Sequence, residues 1–172
     1  GAMRNIRLFS ASATIDGIRP YVATAGTGPS PSGPVQAPLQ DVANLDSSGL
    51  ACDPLPSSGL TGRIALILRG TCTFQVKLAN ALRAGAVAAV VYTSLDRPIT
   101  RMDVQGEPLP AVMVSYADGI DLKQRLTENE RVLISVDFDQ KPVPVEPNQL
   151  SVFSSVGPSV NQAIKPEILA VG

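Results

Sequence analysis

The chain has 172 residues, enough for one domain that buries roughly two thirds of the surface of its unfolded form. Its 14 basic and 15 acidic residues leave a formal charge of −1, so no long-range field favours nucleic acid or an anionic membrane as a partner. The absence of histidine excludes a Ser-His-Asp triad within this chain and removes the commonest transition-metal ligand.

The N-terminal part predicts short strands joined by turns. Residues 5–12 and 18–25 have strand composition, and the Asp16-Gly17 dipeptide between them is typical of tight hairpin turns. Residues 26–38 are rich in glycine, proline and serine, so we expect a surface loop that leads into a short strand at 35–39. Another polar, turn-rich segment follows before the next strand.

Residues 62–92 predict a strand, a helix and a second strand. Residues 64–68 and 86–92 are apolar throughout, as strands covered on both faces must be. Between them the apolar positions have helical spacing, and we expect the intervening polar side chains to face solvent. The apolar set is Phe74, Leu78, Ala81 and Leu82, and the polar set is Gln75, Lys77, Asn80 and Arg83. Gly85 ends the helix, where positive φ is favoured.

The next elements alternate between exposed and buried segments. Residues 96–108 are polar and broken by a proline and a glycine, which predicts an exposed excursion. Residues 111–115 predict a short buried strand, 117–128 a helix and 131–139 a strand. In this last strand the alternate, inward-facing positions are Val132, Ile134, Val136 and Phe138.

The central part of the chain carries the motifs of a known family. These motifs are Gly62-Arg63-Ile64-Ala65-Leu66-Ile67, Arg69-Gly70-Thr71-Cys72-Thr73-Phe74 and Ala84-Gly85-Ala86, with Lys77 and Asn80-Ala81 between them. Flanking motifs are Ala51-Cys52-Asp53-Pro54-Leu55 upstream, and Leu109-Pro110-Ala111-Val112-Met113-Val114-Ser115 with Asp118-Gly119 downstream. Over residues 5–139 the chain resembles the protease-associated (PA) domain of secreted subtilisin-like proteases and some sorting receptors.

The C-terminal segment resembles a second family. Its motifs are Phe153-Ser154-Ser155-Val156-Gly157-Pro158 and Lys165-Pro166-Glu167-Ile168-Leu169-Ala170-Val171-Gly172. They resemble the part of the subtilase catalytic domain, peptidase family S8, that precedes the nucleophilic serine motif. The chain departs from the usual pattern at Val156, Glu167 and Val171, where subtilases mostly have arginine, aspartate and proline.

These resemblances imply a division of the chain. Residues 1–3 look like a tag-cleavage scar, 4–140 form the PA domain, 141–147 a proline-rich linker and 148–172 a fragment of the subtilase catalytic domain. Short strands around two helices predict an α+β fold. We expect a curved, partly open β-barrel or sandwich of about seven short strands with two flanking helices.

The resemblance implies a non-catalytic domain of an extracellular subtilisin-like serine endopeptidase, secreted or held in the cell envelope. Such a domain gates substrate access or binds extended polypeptide. The alternative is a structural or oligomerisation domain that never contacts substrate. The expected partners are a polypeptide substrate, the catalytic domain of the same chain and, for the alternative, a second copy. No cofactor or nucleic acid is implied, and no run approaches the eighteen or so apolar residues of a membrane span.

The resemblance also indicates candidate binding residues. In sorting receptors with the same Arg-Gly-x-Cys-x-Phe pattern, this loop lies at the ligand groove. Arg69 is therefore the leading candidate, because its guanidinium donors suit a peptide carboxylate or peptide carbonyls. Thr71, Thr73, Arg97 and Arg101 are expected to line the rest of the site. In the alternative interpretation, Arg69 binds backbone carbonyls only to hold its own turn.

We predict a disulfide between Cys52 and Cys72. If Cys72 opens the turn after the first buried strand, the loop that contains Cys52 folds back over it, and an exported protein meets oxidising conditions. The alternative is two reduced thiols in a cytosolic domain. Two thiolates alone supply half of a structural zinc site, so no metal site is predicted from them.

Two pairs of carboxylates are close in sequence. Asp118 and Asp121 fit a helix start, because Ser115 precedes Asp118 at the spacing of a capping box. Asp137 and Asp139 fit the exposed face of a strand. Calcium bound at either pair is the alternative, although neither pair has the dense oxygen spacing of a dedicated loop.

Overall fold

A computed structural model describes residues 8–15, 19–104, 106–128 and 131–143. The chain divides into two compact units, one of Ser10–Lys141 and one of Gly1–Phe9 with Pro142–Gly172. The described elements lie in the first unit, apart from the outer ends of the first and last strands. The predicted hairpin turn, tag scar and catalytic-domain fragment lie outside the described residues, so the predicted domain division stays a prediction.

Seven strands and three helices follow one another in the described part of the chain. They are β1 (Leu8–Ile15), β2 (Arg19–Ala25), β3 (Val35–Asp41), α1 (Ala43–Asp46), β4 (Ile64–Leu68), α2 (Phe74–Arg83), β5 (Ala88–Tyr92), β6 (Ala111–Val114), α3 (Tyr116–Glu128) and β7 (Leu133–Val143). The strands form one barrel in the order β1-β2-β6-β5-β4-β3-β7. This α+β barrel confirms the predicted fold class, whereas the four-residue helix α1 was not predicted.

The barrel combines parallel and antiparallel pairing. Strands β3, β4, β5 and β6 run parallel to their neighbours in this set, and β1–β2, β2–β6 and β3–β7 are antiparallel pairs. Parallel neighbours present their carboxyl ends at the same edge of a sheet. The loops that leave β4 and β5 therefore lie side by side.

The central strands are buried on both faces, as predicted. In β4, Ile64 and Leu66 belong to the cluster inside the barrel, which also contains Leu122 of α3. The alternate residues Ala65 and Ile67 belong to a second, outer cluster with residues of α2. The two longer helices therefore pack against opposite faces of the sheet.

Helix α2 ends as its sequence predicts, and its first residue follows a capping threonine that was not predicted. The N-cap residue is Thr73, whose Oγ1 accepts a hydrogen bond from the backbone N–H of Val76 at 3.3 Å. Gly85 follows the helix with φ of +95°, a conformation that glycine adopts most readily. A Cβ atom at Gly85 would also lie only 2.9 Å from the Cα atom of Thr61.

The predicted solvent-facing side of α2 is wrong at two positions. Lys77 is fully buried and Asn80 is 4% exposed, whereas Leu82 is 37% exposed. The cause is the loop of residues 47–62, which supplies backbone carbonyls to both polar side chains. Helical periodicity locates the face that contacts the sheet but does not show that a loop covers a second face.

The predicted exposed excursion at 96–108 is also partly wrong. Met102 and Val104 are buried in the outer cluster, although the residues around them are polar. Thr27 holds this segment in place, because its N–H donates to Met102 O at 2.9 Å and its Oγ1 accepts from Val104 N at 3.0 Å. The other described residues of this segment are exposed or half-buried, as expected.

The last helix and strand follow their predictions closely. Ser115 Oγ accepts from Asp118 N at 3.1 Å and donates to an Asp118 carboxylate oxygen at 2.7 Å, so this pair caps α3. The four predicted inward positions, Val132, Ile134, Val136 and Phe138, are all buried, although β7 begins only at Leu133 and continues to Val143, past the predicted end at 139. None of the helices in the described residues is long and apolar enough to cross a membrane.

Candidate functional site

The loops after β4 and β5 meet at one edge of the parallel strands. We call residues 69–73 and 94–101 the rim. Arg69 joins the two loops, since its backbone N–H donates to Tyr92 O at 2.9 Å and its Nη1 donates to Pro98 O at 3.2 Å. Its guanidinium also lies 5.8 Å from the centre of the Phe74 ring. The predicted binding segments are therefore adjacent in space.

The rim threonines have different environments. Thr71 is exposed and has φ of +62°, an uncommon conformation for a residue with a branched side chain. Thr73 is also exposed, but its hydroxyl oxygen caps α2. Thr71 is accordingly available to a ligand at the surface, whereas Thr73 already has a local structural role.

The loop after β5 gives the rim its exposed side chains. Arg97 and Arg101 are both exposed, and Arg97 N donates to Ser94 O at 3.1 Å in a tight turn. Leu95 in the same turn is 74% exposed, the largest exposed fraction among the large apolar side chains of the described residues. Sequence analysis did not select Leu95, although an isolated leucine between polar residues was a visible signal.

A second group of residues, behind the rim, fixes the loop that follows α1. The predicted disulfide is present and joins Cys52 to Cys72, with 5.7 Å between the two Cα atoms. Lys77 Nζ lies 2.6 Å from Leu50 O and 3.7 Å from Cys52 Sγ. Asn80 Nδ2 donates to Ala51 O at 3.0 Å. Helix α2 thus holds the loop through two buried polar side chains, and the turn before the helix holds it through a covalent bond.

Asp46 holds the same loop from the other end. Its carboxylate accepts backbone hydrogen bonds from Ser48, Gly49 and Ala51 at 2.9, 2.6 and 2.8 Å. Burial alone would raise the pKa of Asp46, but these hydrogen bonds outweigh burial and lower it. Burial lowers the pKa of Lys77 to about 8, against the opposing effect of the Asp46 charge. Lys77 is therefore still mostly protonated at neutral pH.

Asp118 and Asp121, the first of the two pairs considered as calcium ligands, are engaged in other contacts. Asp118 caps α3, and Asp121 accepts a hydrogen bond from the Tyr21 hydroxyl and pairs with Arg125 at 3.1 Å. Asp41, at the end of β3, pairs with Lys123 at 3.1 Å. Within the described residues no three histidine, cysteine, aspartate or glutamate side chains are grouped so as to hold a metal ion.

A shallow cavity of about 340 Å³ lies beside the end of β3. The residues that line it are Leu39, Gln40, Asp41, Asn44, Arg63 and Leu126. Arg63 Nη1 is 3.5 Å from Gln40 Oε1, and Asp41 pairs with Lys123, so the charged groups in this cavity already have partners. The rim therefore remains the stronger candidate site.

The amino-acid sequence of this chain is similar to that of a known domain family. It matches the PA domain family over residues 32–122, which is more than half of the chain. The chain belongs to the PA domain family. The matched segment runs from the loop before β3 to the middle of α3, and so it includes the disulfide and both halves of the rim.

Similar proteins are peptidases of much greater length. The C5a peptidase of Streptococcus pyogenes is 40% identical over 114 residues, which cover 64% of this chain and 9% of that protein. The minor extracellular protease Vpr of Bacillus subtilis is 35% identical over 114 residues, 66% of this chain and 14% of that protein. This chain therefore corresponds to a small part of the curated relatives that it matches.

The same fold occurs in a solved aminopeptidase. The zinc aminopeptidase BSAP of Bacillus subtilis superposes with a TM-score of 0.59 over 80% of this chain and 32% of its own, at 23% sequence identity. At this identity the likeness concerns the fold alone. The PA fold thus accompanies more than one kind of peptidase.

Proposed function

We propose that this chain is the non-catalytic PA domain of an extracellular subtilisin-like serine endopeptidase, in which it binds extended polypeptide or gates the access of substrate. The observation that carries the proposal is the rim, where a PA domain exposes Thr71, Leu95, Arg97 and Arg101 around the anchored Arg69. Loops on a rigid scaffold are where binding residues concentrate.

Three observations support a subtilisin-like parent. The segment 153–172 resembles the subtilase catalytic domain, and two similar proteins are a C5a peptidase and a minor extracellular protease. The disulfide fits an oxidising, extracellular compartment. The fold alone does not distinguish a subtilisin-like parent protein from an aminopeptidase parent, because a zinc aminopeptidase has the same fold. The catalytic domain of the same chain is then the first expected partner.

The chemistry of the rim suits a polypeptide in extended conformation. Two exposed guanidinium groups offer donors to backbone carbonyls or to acidic side chains of the ligand. Leu95 in the same loop offers an apolar contact, and burying it would contribute roughly 1.5–3 kcal/mol. Arg69 has a different role, since its hydrogen bond to Pro98 O holds the two loops together.

The alternative is a structural or oligomerisation domain without substrate contact. The observation that favours it is the same Arg69 to Pro98 hydrogen bond, which is the contact expected of an arginine that only holds its turn. Under this alternative the exposed apolar side chain at Leu95 would pack against a second copy or against the catalytic domain.

Binding to an unfolded polypeptide tests the proposal. Reduced, carboxymethylated α-lactalbumin is titrated into the 172-residue chain, and binding is followed by fluorescence anisotropy. We expect saturable binding that weakens at least about threefold in the double variant Arg97→Ala, Arg101→Ala, since charge-assisted hydrogen bonds are lost. The matched control is Arg83→Ala, an exposed arginine on α2, and it should bind as the unsubstituted chain does.

The same samples distinguish the alternative. A monomer in light scattering that binds through the rim supports the proposal. No saturable binding, or equal loss in the rim variant and the Arg83 control, would contradict it. A dimer that dissociates when Leu95 is replaced by aspartate would establish the oligomerisation function instead.

A further inference from the structure

We propose that the Cys52–Cys72 disulfide is a thiol-exchange site, at which a small external thiolate attacks Cys72 and Cys52 leaves as a thiolate paired with the Lys77 ammonium. The proposal rests on the position of Lys77 and on the surroundings of the two sulfur atoms. It does not depend on whether the rim binds polypeptide.

Lys77 places a buried positive charge within hydrogen-bonding distance of Cys52 Sγ. Its side chain is fully buried, and Nζ lies 3.7 Å from Cys52 Sγ. Among the described residues no cationic side chain makes a hydrogen bond to Cys72 Sγ. A neighbouring ammonium group lowers the pKa of a thiol, and the thiol with the lower pKa leaves faster from a disulfide. Cys52 is therefore the better leaving group.

Other charges also act on the two sulfur atoms of the disulfide. Asp46 partly offsets the charge of Lys77, and Asp53 is adjacent to Cys52 in sequence. The positive end of α2 acts on Cys72, but that residue precedes the N-cap Thr73. A whole charge at hydrogen-bonding distance outweighs a partial charge beyond the cap, so the asymmetry favours Cys52.

Both cysteines are half-buried, so access alone does not distinguish the two sulfur atoms, and the neighbouring charges decide which one is attacked. Cys72 lies between the uncharged residues Thr71 and Thr73 on the rim. Cys52 precedes the carboxylate of Asp53, which repels an incoming thiolate. An external thiolate therefore approaches Cys72 more readily.

The exchange is balanced in sulfur atoms and electrons. The external thiolate forms a new S–S bond to Cys72 Sγ, the Cys52–Cys72 bond breaks, and its electron pair stays on Cys52 Sγ. Attack by Cys52 on the mixed disulfide restores the original bond and expels the external thiolate. Attack by a second thiolate on the external sulfur releases the oxidised external disulfide and leaves both cysteines reduced.

The exchange would free the loop after α1 from the rim. The disulfide ties residues 47–52 to the segment in which Thr71 holds its positive φ. When the bond opens, Lys77 and Asn80 still hold the loop through Leu50 O and Ala51 O. The expected structural change is therefore confined to residues 70–73.

The position of the mixed disulfide is the first test. The 172-residue chain is treated with glutathione at pH 7, free thiols are blocked with iodoacetamide, and peptides are mapped by mass spectrometry. We expect glutathione on Cys72 and the carbamidomethyl group on Cys52. Glutathione mainly on Cys52, or equally on both cysteines, would overturn the proposal.

Charge removal is the second test. Lys77→Met should slow glutathione exchange by about threefold or more, because the leaving thiolate loses its ammonium partner, and Lys77→Arg should retain most of the rate. The matched control is Lys123→Met, which removes a lysine of α3 that pairs with Asp41 at the end of β3. An unchanged or faster exchange in Lys77→Met would contradict the proposal, including the case in which the variant only loosens the loop.

A direct measurement of the pKa of the Cys52 thiol tests the role of Lys77 independently of the exchange rate. In Cys72→Ser, the rate of iodoacetamide alkylation of Cys52 against pH gives the pKa of that thiol. We expect a pKa below the usual value of about 8.5, and a higher pKa when Lys77→Met is added. Equal values in the two backgrounds would exclude a role for Lys77.

Discussion

At the scale of single residues, Lys77 is the position where the exposure predicted from the sequence differs most from that in the structure. It was predicted to face solvent because it falls between apolar positions of α2, yet its side chain is fully buried. A buried ammonium is tolerated only when its donors have partners, and here Leu50 O and Cys52 Sγ accept from it. The acceptors come from a distant loop, so helical spacing had no means of showing them.

The pH dependence of stability provides a prediction for Lys77. Its pKa is about 8 in the folded chain, below the ordinary value of 10.5 that applies to the unfolded chain. Between these values the unfolded chain binds more protons, so the contribution of Lys77 to the free energy of unfolding increases with pH. We therefore expect the free energy of unfolding of the unsubstituted chain, relative to that of Lys77→Met, to be larger at pH 10 than at pH 7 in urea titrations. A relative stability that falls or stays constant would mean that the pKa is not depressed.

At the scale of elements, the sequence predicts what depends on local periodicity. The β4, α2 and β5 segments were found because continuous apolar strands and helical spacing are local signals, and Thr73 and Gly85 give the helix its ends. The disulfide was also predicted. The burial of Met102 and Val104 was missed, because it depends on a contact with Thr27 from a remote loop. The apolar side chains of Met102 and Val104 within an otherwise polar segment could have indicated that these two residues are buried.

The segment at 96–108 gives a prediction for this scale. Met102 is fully buried in the outer cluster, so Met102→Ala should lower the free energy of unfolding by about 2–5 kcal/mol. Leu95→Ala, immediately before this segment, is the control, and its effect should stay within about 0.5 kcal/mol because that side chain is 74% exposed. Urea unfolding measures both. Similar small effects would show that the whole segment is as exposed as its sequence predicts.

At the scale of the whole molecule, the described residues form a PA domain whose rim is set by strand order. Parallel pairing of β4 and β5 brings the Arg69 loop beside the Arg97 loop, and the candidate binding residues lie in these two segments. Strand order itself could not be derived from composition or spacing and was not predicted. The role of the candidate residues stays a prediction.

The predicted domain division can be tested by truncation. If residues 148–172 are a fragment of a catalytic domain, their removal should leave the melting temperature of the remaining chain nearly unchanged. A calorimetric comparison of residues 1–147 with the 172-residue chain measures this. A decrease of more than about 10 °C, which corresponds to several kcal/mol for a domain of this size, would show that the segment belongs to the PA domain core.

The most direct test of the central claim is made in the parent protease. Values of kcat/KM are measured for a short chromogenic peptide and for an unfolded protein substrate, with and without the Arg97→Ala and Arg101→Ala substitutions. A rim that acts on extended polypeptide predicts a loss of at least about threefold on the protein substrate and no change on the short peptide, because only the longer substrate reaches the rim. Unchanged values for both substrates, or an equal loss on both, would contradict the account.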